Sequence, residues 1–269
     1  MGATGIWGAF AYFWSAGDAA IAGTLNLRGA ERSTLLDSVV CALKNVKTSG
    51  AEIRWALPRF VRYFGTDRRR KAPFASPDMP SLFDRFLPGP DVRERHATLV
   101  RAPADLVLDV ARNLDMQALP AIRAIFWLRT KLMGAKNTPP ARGVGLVAFT
   151  RSLGWGVLLD QPGRAYVSGA ACQPWKADVV FSPIPPEEFA TYAEPDRVKI
   201  AWSLETEPLE PELTRLSTET RAAATDEQAR VKFLRYWRVA RIGIVAIRLL
   251  LLPAARRAAE RRWLAHRKA

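Results

Sequence analysis

Histidine and cysteine are almost missing from this chain, with two of each in 269 residues. Cys41 and Cys172 lie far apart and form neither a metal-ligand pair nor a disulfide framework, so a reducing cytoplasm is the simplest setting. His96 and His266 cannot build an ordinary zinc site or a centre that needs several histidines. Gly143-Val-Gly145 lacks the third glycine of a dinucleotide fingerprint, and no phosphate-cradling loop appears. The sequence calls for no cofactor and no metal, and it offers no catalytic motif. A basic stretch ahead of the apolar start is also lacking, so no secretory signal is expected.

Acids are scarce too: 26 against 40 Lys and Arg, a net charge of +14. The excess is concentrated at one end. From residue 230 onward there are twelve Lys or Arg and a single acid, Glu260. Reading motifs and stacking platforms for nucleic acid are not found beside these cations, so nucleic acid is not an expected partner. "ARRAAERRWLAHRKA" mixes Trp263 and Leu264 with its charges. That mixture suits an anionic membrane surface, where each cation contributes about 1 kcal/mol. A cytoplasmic protein, peripheral at the membrane if this end docks, is the expectation.

What is present is a normal globular balance, 49% hydrophobic and 25% charged. The opening "GIWGAFAYFWSAGDAAIAGTL" has no Lys or Arg and is long enough to span a bilayer. Asp18 near its centre costs about 2.5–3.5 kcal/mol on insertion, and its glycines weaken the helix. A buried or interfacial helix is therefore expected there. "STLLDSVVCALKNV" gathers Leu35, Leu36, Val39, Val40, Leu43 and Val46 on one helical face, with Ser33 as cap. Residues 1–70 read as a helical extension, and the proline-rich 71–90 as a linker.

The remaining chain, 91–266, reads as one α+β domain. "RERHATLV" alternates as a strand, with His96, Thr98 and Val100 on one face. Pro103 then starts an amphipathic helix carrying Leu106, Val107, Val110, Ala111 and Leu114. "LPAIRAIFWLRTKLMG" is a second helix, ended by Gly134. "GWGVLLDQPGRAYVSGA" is a hairpin about a Pro-Gly turn. "KIAWSLETE" and "LTRLSTETRAA" form another hairpin, with "PLEPE" as its loop and one face of the strands wet. By alternation Glu205 and Glu219 fall on that wet face. Thr225-Asp-Glu-Gln228 caps a long helix reaching Pro253. Its broad side carries Phe233, Tyr236, Trp237, Ala240, Ile244, Ile247 and Leu251, and its cationic back carries Arg230, Arg238, Arg241 and Arg248.

Three stretches carry a family likeness: "DVRERHATLVRAPADLVLDVARNLD", "LGWGVLLDQPGRAYVSGA" and "VKIAWSLETEPLEPELTRLSTETRAAATDEQARVKFLRYW". The order of strand, helices, antiparallel strands and capped long helix resembles the helix-grip fold of the START and Bet v 1-like (SRPBCC) superfamily, over about residues 90–260. The resemblance implies a curved antiparallel sheet wrapped around a long C-terminal helix, with an apolar cavity between them. It implies binding, or binding and transport, of a hydrophobic small molecule or lipid. Some members are polyketide cyclases or hydrolases, which makes an enzyme the alternative. No catalytic residue carries over.

The strands and the long helix supply candidates for lining such a cavity. From the first hairpin come Trp155, Val157, Tyr166 and Ser168, and from the second Trp202, Leu204, Leu216 and Thr218. Phe233 and Trp237 come from the helix. Most are apolar, as pocket walls are, and Ser168, Thr218 and Thr220 could orient a ligand. His96 is the single titratable candidate on a strand face.

Overall fold

A computed structural model of the chain describes residues 82–134 and 143–268. The helices expected in residues 1–70, Cys41 and residues 71–81 lie outside the described residues. The chain divides into two units, one of Arg68–Ala118 with Pro140–Ala269, the other of Met1–Asp67 with Leu119–Pro139. The larger unit contains β1 (Val92–Val100), α1 (Ala104–Arg112), β2 (Gly156–Gln161), β3 (Ala165–Cys172), β4 (Val198–Glu210) and β5 (Leu213–Ala224). Between α1 and β2 lie α2 (Pro120–Met133) and α3 (Leu146–Ser152), and α4 (Glu227–His266) closes the chain. Among the described elements, only α2 belongs to the smaller unit. Pro120 opens it and Gly134, at φ 63°, ends it in the left-handed conformation that glycine adopts without strain.

The five strands form one antiparallel sheet in the order β1-β5-β4-β3-β2. The α+β class and the long C-terminal helix are as the sequence predicts, and the arrangement is consistent with a helix grip. Pro103 immediately precedes α1, and Gly163 holds φ 69° in the β2–β3 turn. The second hairpin is tighter than expected. Its strands run on to Glu210 and resume at Leu213, with a register shift between Pro208 and Glu210. Alternation alone does not reveal a bulge that lets a strand continue through Pro208. Helix α3, seven residues long, was hidden in a stretch with no helical period.

The face turned away from α4 is not wet. The segment 82–87, read from its prolines as linker, lays Phe83, Phe86 and Leu87 over Val167, Ala171 and Ala201. Phe189 and Ile184, from the β3–β4 connection, complete this layer. Gly169 makes the fit possible. A Cβ there would lie 2.6 Å from Leu158 Cδ1 and 2.6 Å from Phe189 Cε2. Gly169→Ala is therefore expected to overpack the layer and cost about 1–3 kcal/mol, read from the urea midpoint.

On the β1–β5 side the same outer face holds charges. Glu219 is fully buried, with Arg93 Nε and Arg221 Nε both 2.7 Å from its carboxylate and Arg95 at 3.6 Å. Arg221 also reaches Asp84 at 2.7 Å and the Leu87 carbonyl at 2.9 Å. Burial works against the Arg221 charge, but the hydrogen bonds to Glu219 and Asp84 hold the guanidinium above its ordinary pKa. The solvent-facing position expected for Glu219 is thus corrected. Its side of the sheet was read correctly, but the 82–87 segment covers that side.

Helix α4 lies on the other, inner face, packed against β1, β4, β5 and α1. Arg241 is bound to Glu94 near one end, and Glu260 accepts from the Arg101 amide near the other. Nineteen helical residues rise about 28 Å and seven strand residues about 23 Å. The helix therefore runs roughly along β1. It does not stop at Pro253 but continues to His266, with Leu251, Leu252, Ala254 and Ala255 buried on both sides of the proline. An interior proline costs about 3 kcal/mol, which the packing of these neighbours offsets.

The cap is Asp226 rather than Thr225. Its carboxylate accepts from Ala229 N at 2.7 Å and from Asp196 N at 2.5 Å. These bonds hold the Asp226 carboxyl below its ordinary pKa of 3.8. A depressed folded pKa contributes stability that is present above the unfolded value and is lost as pH falls through the folded one. Thermal melts on acidification should show the wild type losing a stability advantage over Asp226→Ala below pH 3.8. An advantage unchanged at pH values well under that would refute the assignment.

Candidate functional site

The inner face is built by the even-numbered positions of β1, β3, β4 and β5. Register sets Glu94 opposite Thr220, Thr220 opposite Trp202, Trp202 opposite Ser168, and Ser168 opposite Val157. One row along, His96 faces Thr218, Tyr166 faces Leu204 and Asp160 faces Tyr166. This surface is more polar than an ordinary core, and α4 answers it with charge. Arg241 binds Glu94, and Arg248, only 7% exposed, donates to Thr220 Oγ1.

Placing Arg241 and Arg248 on a cationic back of the helix is therefore corrected. Both belong to a stripe advancing by three or four residues through Ala229, Phe233, Trp237, Arg241, Val245 and Arg248. Reading the helix by hydrophobicity separated the arginines from the stripe they occupy. The signal that could have found them was their spacing from Phe233 and Trp237.

Tyr166, Ser168, Trp202, Leu204 and Thr218 form a contiguous patch on this face. Tyr166 and Trp202 have ring centroids 5.6 Å apart. Leu216 lies further along, opposite Thr98. Val157 ends the Trp202 row at the β2 edge. Phe233 and Trp237, 5.7 Å apart, sit at the other end, with Phe233 packed on Val198 and Ala222. Trp155 is not part of the patch. It precedes β2 and stacks on Phe181 at 4.9 Å.

Tyr166 is 1% exposed, and its ring lies 5.0 Å beneath the Arg112 guanidinium of α1. Arg112 is clamped to Asp160 by two bonds of 2.6 and 2.7 Å, which raise its pKa further. Burial holds the Tyr166 phenol above its ordinary pKa, against the pull of Ser168, Arg151 and Arg112. It is thus a neutral donor at pH 7. The neighbouring Ser168 hydroxyl donates to the Gly156 carbonyl at 2.7 Å. Trp202 Nε1 is buried without a hydrogen-bond partner, and the buried Tyr166 Oη has only the Ser168 hydroxyl beside it. Glu94 Oε2 lies 3.7 Å from His96 Nε2, a carboxylate beside an imidazole on the same face.

The basic end of α4 is largely engaged. Arg256 pairs with Glu260 at 3.0 Å, Arg262 with Asp109 at 2.6 Å and Arg267 with Glu212 at 3.1 Å. His266 stacks on Trp263 within the helix. No helix among the described residues is long and apolar enough to cross a membrane.

No family model matches the chain, and no curated protein is significantly similar to it. The solved structures that are distantly similar include the following three. A conserved protein from Geobacillus kaustophilus shares 12% identity over 61% of this chain and 95% of its own, at a TM-score of 0.29. A hypothetical protein from Helicobacter pylori shares 11% over 70% of this chain and 100% of its own, at 0.32. The aromatase/cyclase Zhui from Streptomyces sp. R1128 shares 13% over 62% of this chain and 94% of its own, at 0.24.

Proposed function

We propose that the domain binds an apolar small molecule or lipid between the inner sheet face and α4, as a helix-grip protein would. One observation carries this reading. Ile200, Trp202, Tyr236 and Trp237 lie between a sheet and a helix yet are only partly buried. Two layers packed directly on each other would bury such side chains completely. Large apolar walls with few polar groups are the usual lining of a ligand pocket. The test is organic extraction of the purified protein and mass spectrometry of what comes off. A stoichiometric lipid, isoprenoid or polyketide supports the proposal. An empty extract, with no uptake of a fluorescent apolar probe, refutes it.

A second reading, an enzyme of the cyclase or hydrolase kind, is favoured by the Glu94–His96 pair. An imidazole beside a carboxylate can serve as a general base. Incubating the extracted compound with wild type and with His96→Gln tests it, since only turnover would give a product of changed mass that the variant fails to make. Docking on an anionic membrane surface would fall to Leu264, Arg261 and Lys268, because the ion pairs above occupy several other cations of that end.

A further inference from the structure

We infer that the bound molecule carries a hydrogen-bond-accepting carbonyl or carboxylate oxygen, held by Tyr166 Oη and Trp202 Nε1. The inference rests on the proposed binding reading and names the chemistry of its ligand. Both groups are buried; Trp202 Nε1 has no partner, and Tyr166 Oη has only the Ser168 hydroxyl beside it, whose own proton goes to the Gly156 carbonyl. An indole N–H can only donate, and a phenol kept protonated by burial donates readily. Leaving such donors unsatisfied in a fold is costly, and each calls for a reason. The two belong to adjacent cross-strand pairs on one sheet face, Tyr166 with Leu204 and Ser168 with Trp202, and their rings are in contact.

The surroundings agree in sign. The Arg112 guanidinium lies over Tyr166, and Arg248 donates to Thr220, the cross-strand neighbour of Trp202. The acids nearest this stretch are engaged, Asp160 by Arg112 and Glu94 by Arg241. An accepting oxygen would therefore meet donors and positive charge, while its apolar remainder lies along Ile200 and Trp237. A pure hydrocarbon would leave the indole N–H unanswered.

The experiment uses the full chain with Nile red as a neutral probe, displaced by lauric acid, methyl laurate or dodecane. The acid or the ester should compete at least about tenfold better than dodecane, since two hydrogen bonds are at stake. Tyr166→Phe and Trp202→Phe should each weaken competition by the oxygen-bearing probes about three- to tenfold and leave dodecane unchanged. Acid stronger than ester assigns a carboxylate, and equal competition assigns a neutral carbonyl. Nile red bound normally but displaced equally by all three compounds would overturn this inference alone. So would variants that discriminate as the wild type does. Failure of Nile red to bind the wild type would overturn the pocket reading beneath it.

Discussion

Glu219→Ala is expected to destabilise the domain by about 3–5 kcal/mol, a loss large enough to prevent folding at moderate temperature. The carboxylate is fully buried and receives Arg93 and Arg221 at 2.7 Å. Removing it leaves Arg221, itself almost completely buried, with Asp84 as its remaining acid, and Asp84 is half exposed. The cost is thus that of a buried charge stripped of its main partner, more than that of a lost attraction. The double variant Glu219→Leu, Arg221→Met should recover most of the loss, since a buried ion pair seldom outperforms an apolar pair of similar volume. Urea unfolding of both variants decides it. A loss under about 1 kcal/mol for Glu219→Ala would show that water reaches the network.

The second large effect is Phe86→Ala, expected to cost about 3–5 kcal/mol. Phe86 is buried and meets Phe189 edge-on, with ring centroids 6.4 Å apart at 89°. A chain beginning at residue 91 loses Phe83, Phe86 and Leu87 together and uncovers Val167, Ala171 and Ala201. Such a chain should aggregate or bind dyes of exposed apolar surface. Normal thermal unfolding of the shortened chain would show that 82–87 is a linker after all.

How much of this was legible in the sequence depends on which signal each element left. The strands β3, β4 and β5 announced themselves through alternation, and so did the shared face of Tyr166, Ser168, Trp202, Leu204 and Thr218. The capped helix α4 was equally plain, although Pro253 concealed its last turns. The outer layer was not legible, because segment 82–87 and the β3–β4 connection contact the sheet without any period of their own. That silence is why Glu219 read as solvent-facing. Arg241 and Arg248 were missed for a different reason: a moment built on hydrophobicity cannot place a charged side chain against a sheet that answers with Glu94 and Thr220. Arg112 and Asp160 pair across 48 positions of sequence. One sequence alone gives no means to see that.

The strand order has a consequence for how the domain is made. β2 through β5 follow one another as neighbours in the sheet, but β1 pairs with β5 across separations of 114 to 130 positions. During synthesis β1 leaves the ribosome first and then waits, unpaired, for the last strand. Closing so long a loop before any contact repays it slows folding and prolongs exposure of an open strand edge. Arg93, Glu94 and Arg95, early in β1, keep that edge charged during the wait, a property that guards against pairing with the wrong chain. The same charges that later tie the sheet together through Glu219 and Arg241 would thus first serve to keep it apart from others.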